Sequence, residues 1–116
     1  MKAISGNIRL SASDLSNHLA CHHLTSLDLA VTLGVRRAPV WRSPDARVLQ
    51  ERGMAHEDAY LAHLEAKGVS VRNLRDFDDA EKALAETRAA MESGVEAIAQ
   101  ATLASGRWFG RSDVLR

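Results

Sequence analysis

Three groups of residues carry side chains able to do chemistry. Cys21-His22-His23 sets a thiol beside two imidazoles. On a helix, successive residues point about 100° apart, so these three do not converge on one ion. His18 and His22 stand at i and i+4 and do share a face, but a zinc-type site needs a third and a fourth ligand. By pattern, Cys21 then reads as a small buried residue in a helical stripe. The second group is Glu51-Arg52-Gly53-Met54-Ala55-His56-Glu57. A glycine inside a helix costs about 1 kcal/mol against alanine, so Gly53 is expected to admit a neighbouring backbone and bring His56 into a crevice. His56 and Tyr60 share one face. The third group is Gly106-Arg107-Trp108-Phe109-Gly110-Arg111-Ser112-Asp113. Aspartate is disfavoured inside a strand, and alternation puts Asp113 on a face with Phe109, Arg111 and Leu115. A carboxylate on that largely apolar face needs a partner or a metal ion. An ion pair with Arg111 or Arg116 is the other solution, and residue type alone does not choose between them.

These groups need elements to hold them. Ser11 followed by Asp14 fits a capping box, with Ser13 an equal candidate for the cap. From there Leu15, Leu19, Leu24, Leu27 and Val31 form one apolar stripe of helical period, and Gly34 stops the helix. Residues 35–44 hold both prolines and read as a loop. Ser43 or Asp45 caps a second helix, which runs through Val48, Leu49, Ala55, Tyr60, Leu61 and Leu64 to Gly68. Residues 69–74 alternate as a short strand. The acidic residues from Asp76 to Asp79 open a third helix, with Ala80, Ala83, Leu84, Thr87 and Met91 on its buried face and Gly94 at its end. Val95–Leu103 and Arg107–Leu115 read as two strands joined through Ala104-Ser105-Gly106. The fold class is α+β. The last strand stops without a closing turn, and a hairpin is marginal on its own, so the sequence is expected to be the N-terminal piece of a longer domain.

Composition narrows the function classes. The chain has 116 residues, 15 Lys plus Arg against 15 Asp plus Glu, and no net charge, which argues against a polybasic binder. Aromatics make up only 4%, too few for a base-stacking platform. No run approaches a membrane span and no signal peptide is visible. A single cysteine makes no internal disulfide, which together with the absent signal sequence points to the cytoplasm.

The motifs, in order, resemble one family. Leu10-Ser11-Ala12-Ser13-Asp14-Leu15, then Leu19-Ala20-Cys21-His22-His23-Leu24-Thr25 and Leu27-Asp28-Leu29-Ala30, look like the opening of the RecB-like nucleases of the PD-(D/E)xK superfamily, in the helicase-associated group. Glu51–Glu57 looks like that family's glycine–histidine helix motif. Gln100-Ala101-Thr102-Leu103 with Gly106–Leu115 looks like the strand bearing its first catalytic aspartate. The resemblance spans nearly the whole chain. It implies a restriction-endonuclease-like core sheet, α/β in the full domain, and a metal-dependent DNA exonuclease that hydrolyses phosphodiester bonds with a helicase fused or in trans. It also implies His56 and Asp113 as ligands of Mg²⁺ or Mn²⁺, and Cys21 as the first of four cysteines holding an iron–sulfur cluster, 4Fe-4S, in the full-length protein.

The sequence departs from the full pattern. The second acidic residue, the lysine, the later glutamine–tyrosine motif and three cysteines have no counterpart here. His18 stands where an apolar residue is expected, and Ser112 where a small one is. The 116 residues alone are therefore expected to be inactive. If the resemblance is real, His56 and Asp113 must converge, with ligand atoms roughly 3–5 Å apart around a shared ion. The alternative is a noncatalytic helical module that binds a protein partner.

Overall fold

In the computed structural model, which describes residues 1–40 and 43–116, the chain opens with a hairpin rather than a helix. Strand β1 (Lys2–Ile4) pairs antiparallel with β2 (Asn7–Arg9). Ser5 and Gly6 turn between them at φ 48° and 79°. Two positive φ values are what a type I′ turn requires, and a serine–glycine pair between short runs is its sequence sign.

The expected single helix is two. Helix α1 (Ala12–Ala20) begins at Ser11, whose hydroxyl accepts from the Asp14 amide while the Asp14 carboxylate accepts from the Ser11 amide. That settles the cap on Ser11. At Cys21 the backbone becomes extended, φ −161° and ψ 112°, and α2 (His22–Thr32) starts anew. Cys21 closes α1 by donating its N–H to the Asn17 carbonyl and opens α2 by accepting from the Leu24 amide. Cysteine and histidine are poor helix formers, so the Cys21-His22-His23 run is where a break costs least. The break turns Cys21 outward, and the buried position expected for it is not found.

Trp41 and Arg42, in the expected loop, lie outside the described residues. Helix α3 (Pro44–Ala66) follows, with Ser43 at its cap position. Its apolar stripe is buried only in its last turns, at Leu61 and Leu64; Val48 and Leu49 are exposed. Strand β3 (Val71–Asn73) leads to α4 (Ala80–Glu92), capped by the Asp79 carboxylate, which accepts from the Glu81 and Lys82 amides. The buried face of α4 is Ala83, Thr87 and Ala90, so Met91, expected inside, lies one position off the stripe and is exposed.

Strands β4 (Ala97–Ser105) and β5 (Trp108–Leu115) complete a sheet of order β3-β4-β5. β3 and β4 are parallel, Val71 level with Ala97 and Asn73 with Ala99, and α4 is the crossover that parallel pairing demands. Leu74, Ala90, Ile98 and Ala101 form the core, with Phe77, Val95 and Leu115 packed against it. Burying Leu74 completely stabilises the fold by about 2 kcal/mol. Ile98 and Ala101 reach the same core although they are three apart. The residue between them and the next, Gln100, has φ 56°, so the strand carries a bulge that resets its alternation. The molecule is α+β, and it divides into two units. The first is Met1–Val40 with Ala104–Gly110; the second holds α3, β3, α4, β4 as far as Leu103, and Arg111–Arg116.

Candidate functional site

In the second unit, three elements meet through polar side chains. Glu57, one residue beyond His56 on α3, is largely buried. Its carboxylate accepts from Gln100 Nε2 at 3.1 and 3.2 Å, one contact to each oxygen. It also accepts from Arg75 at 3.2 Å, and the same guanidinium reaches Asp58 at 2.8 Å. A carboxylate only accepts, which fixes the Gln100 amide with its nitrogen toward Glu57. Hydrogen bonds from Arg75 to Asp58, then to Glu57, push the guanidinium pKa further up, so this cation is permanent. Arg75 is itself placed by a turn, its amide donating to Asn73 Oδ1 at 2.9 Å.

The location is informative. Arg75 follows the end of β3, and Gln100 follows the last residue of β4 that pairs with it. The cluster therefore stands at the carboxyl end of the parallel pair. β4 and β5 are joined by the two residues Gly106 and Arg107. Asp113 lies on β5, the strand beside the one that carries Gln100. In the sequence Gln100 and Glu57 stand only as parts of motifs, and no local pattern marks Arg75. The signal for Gln100 was a long amide in a run of alanines.

His56 and Asp113 are both exposed, and neither hydrogen-bonds nor ion-pairs with a described residue. The crevice expected at His56 is not there: a methyl group at Gly53 would meet nothing within 4 Å. Nor is Asp113 neutralised by an arginine; Arg111 donates instead to the Phe77 carbonyl at 2.6 Å. An imidazole and a carboxylate are donor types that suit Mn²⁺, and the carboxylate suits Mg²⁺. Among the described residues, however, no three of His, Cys, Asp and Glu are grouped to hold an ion. The donor types fit a divalent metal and the number of donors falls short.

The histidines of the first unit are not arranged as ligands. The rings of His18 and His22 stack at 4.3 Å and 15°, and His18 Nδ1 lies 2.8 Å from Thr25 Oγ1. The nitrogen lone pairs lie in each ring plane, so near-parallel stacked rings do not aim them at one ion. Cys21 is exposed and is the chain's one cysteine. A single thiolate does not fit a four-cysteine cluster. Among the described residues, no helix is long and apolar enough to cross a membrane. Comparison with known proteins found no matching family model, no matching curated protein and no matching solved structure.

Proposed function

We propose that this chain is the N-terminal portion of a metal-dependent DNA exonuclease of the RecB-like kind, working with a helicase in DNA processing. One observation carries the reading beyond the motifs. At the carboxyl end of the parallel strands, Glu57 and Asp58 are occupied by Arg75 and Gln100, while His56, next to Glu57 in α3, and Asp113, on the strand beside β4, have no side-chain partner among the described residues. In this reading His56 and Asp113 would hold Mg²⁺ or Mn²⁺. When bound, the ion supplies a water activated as nucleophile and neutralises charge on the scissile phosphate. The role of the chain's own cluster is to hold α3 against β4.

A Mn²⁺ titration followed by amide NMR of the 116-residue chain tests this. Paramagnetic broadening should appear first and together at His56 and Asp113, and Asp113→Ala should abolish it at His56. No DNA should be cleaved by this chain in Mg²⁺. Broadening at His56 that survives Asp113→Ala refutes a shared ion. The second reading, a noncatalytic interaction module, would then lead. It is favoured by the exposed Val48, Leu49 and Met54 on the first half of α3, with Leu49 70% exposed.

A further inference from the structure

The first unit contains a cleft of about 230 Å³ whose walls come from the chain start, α1, α2 and Trp108. Apolar side chains make most of the wall: Met1, Leu10, Leu15 and Trp108. Asp14 and His18 line it from α1, and Thr25 and Asp28, one helical turn apart, from α2. Three of these four polar side chains are committed. Asp14 takes the N-terminal ammonium on Oδ1, and the Ser11 amide and hydroxyl on Oδ2. His18 Nδ1 lies 2.8 Å from Thr25 Oγ1. Asp28 differs. Its backbone carbonyl accepts from the Thr32 hydroxyl, but its half-buried side chain has no hydrogen-bond or ion-pair partner among the described residues. Among those residues, no lysine or arginine lines the cleft. The ammonium balances Asp14, and the Asp28 carboxylate is left unbalanced beside an apolar wall.

We infer that this cleft binds a small alkylammonium, a primary ammonium carried on an unbranched chain of about six carbons. A carboxylate against apolar surface is best satisfied by a cation that brings its own apolar body. The ammonium donates to Asp28 in a charge-assisted hydrogen bond. The indole of Trp108, 43% exposed, supplies an aromatic surface that attracts a cation and covers methylenes. The volume sets the chain length. At about 30 Å³ per water-sized group, the cleft takes about seven or eight non-hydrogen atoms, fewer than a drug-sized pocket. Hexylamine matches that size, and the shorter stem of a lysine side chain leaves part of the cleft unfilled. The inference stands apart from the nuclease reading, because neither His56 nor Asp113 lines the cleft.

Titration of the 116-residue chain with hexylamine, followed by amide and indole NMR, tests it. Shifts should appear at Leu15, Asp28 and the Trp108 indole and saturate together. Hexanol keeps the chain and drops the charge, and Asp28→Asn drops the opposite charge. Each should weaken binding by at least about tenfold. Butylamine, with the chain of a lysine side chain, buries two fewer methylenes and should bind about 15-fold more weakly. Trp108→Leu keeps apolar surface without the aromatic face and should cost about threefold. An unchanged urea midpoint shows that a variant is folded, and the hexanol and butylamine arms need no variant. Absence of saturable shifts, or hexanol matching hexylamine, overturns the site. So does folded Asp28→Asn binding hexylamine as the wild type does. Butylamine matching hexylamine overturns the free alkylamine and marks a partner's lysine as the occupant. None of these outcomes touches the Mn²⁺ titration at His56 and Asp113, so the two readings fail separately.

Discussion

Gln100 offers a sharp test of how the second unit is held. It sits inside β4 at φ 56°, a left-handed conformation that costs a non-glycine residue about 1 kcal/mol. Its amide bonds both oxygens of a largely buried, charged Glu57. Such a bond contributes about 1.5–3 kcal/mol. Gln100→Ala loses the bond and keeps the strain, so it should destabilise by about 2 kcal/mol. Gln100→Gly loses the same bond but removes the strain, so it should cost about 1 kcal/mol. Glycine should thus be the better replacement by about 1 kcal/mol. In a regular strand the order is reversed, with alanine ahead by roughly 0.5–1 kcal/mol. Urea unfolding midpoints of the two variants, compared at equal m value, read this order directly. Alanine equal to or better than glycine would refute the bulge and with it the account of how Gln100 is aimed.

Two further expectations follow from the caps and glycines. Gly53→Ala should stabilise the chain by about 1 kcal/mol, raising Tm by roughly 4 °C or more, because the added methyl group has space and the helix gains a better former; a loss of stability would show that another surface packs on this face. Asp14 is largely buried, which by itself raises its pKa, but hydrogen bonds from the N-terminal ammonium and from Ser11 outweigh burial and hold it below the usual carboxylate range. A depressed pKa stabilises the fold above the unfolded value, and that stability is lost as pH falls through the folded value. Asp14→Asn should therefore cost about 1 kcal/mol at pH 7, and that cost should shrink as pH falls below the ordinary carboxylate range and through the lowered value of Asp14, measured as urea stability against pH; a cost that does not change in acid would refute the charged cap.

What the sequence made legible was local. The capping box of Ser11 with Asp14 and the alternation at residues 69–74 depend on neighbours within four positions; the first appears at one of the two expected caps and the second as the shorter strand Val71–Asn73, while the helix expected to open over Asp76–Asp79 starts at Ala80 with Asp79 as its cap. The misses have a common cause. The break at Cys21 preserves the apolar stripe on either side, so periodicity cannot see it. The stripe of α3 was real, but periodicity marks which side of a helix is apolar and not how far along it a partner extends. Val48 and Leu49 are exposed for that reason. The β1–β2 hairpin has a local sign in Ser5-Gly6, but strands of three residues each are too short for alternation to mark them.

The site was legible as residue types and hidden as an arrangement. Histidine after a helical glycine and aspartate in a strand are both out of place locally, and that marked them. What holds their elements is an interaction among positions 57, 75 and 100, which no local pattern encodes. The arrangement also decides which carboxylates remain available. Glu57 accepts from Arg75 and from Gln100, and Asp58 shares the same arginine; releasing either to ligate a cation would cost the permanent guanidinium one of its two partners. Their charge is committed to the fold. Among the described residues, the side chains of His56 and Asp113 carry no such commitment.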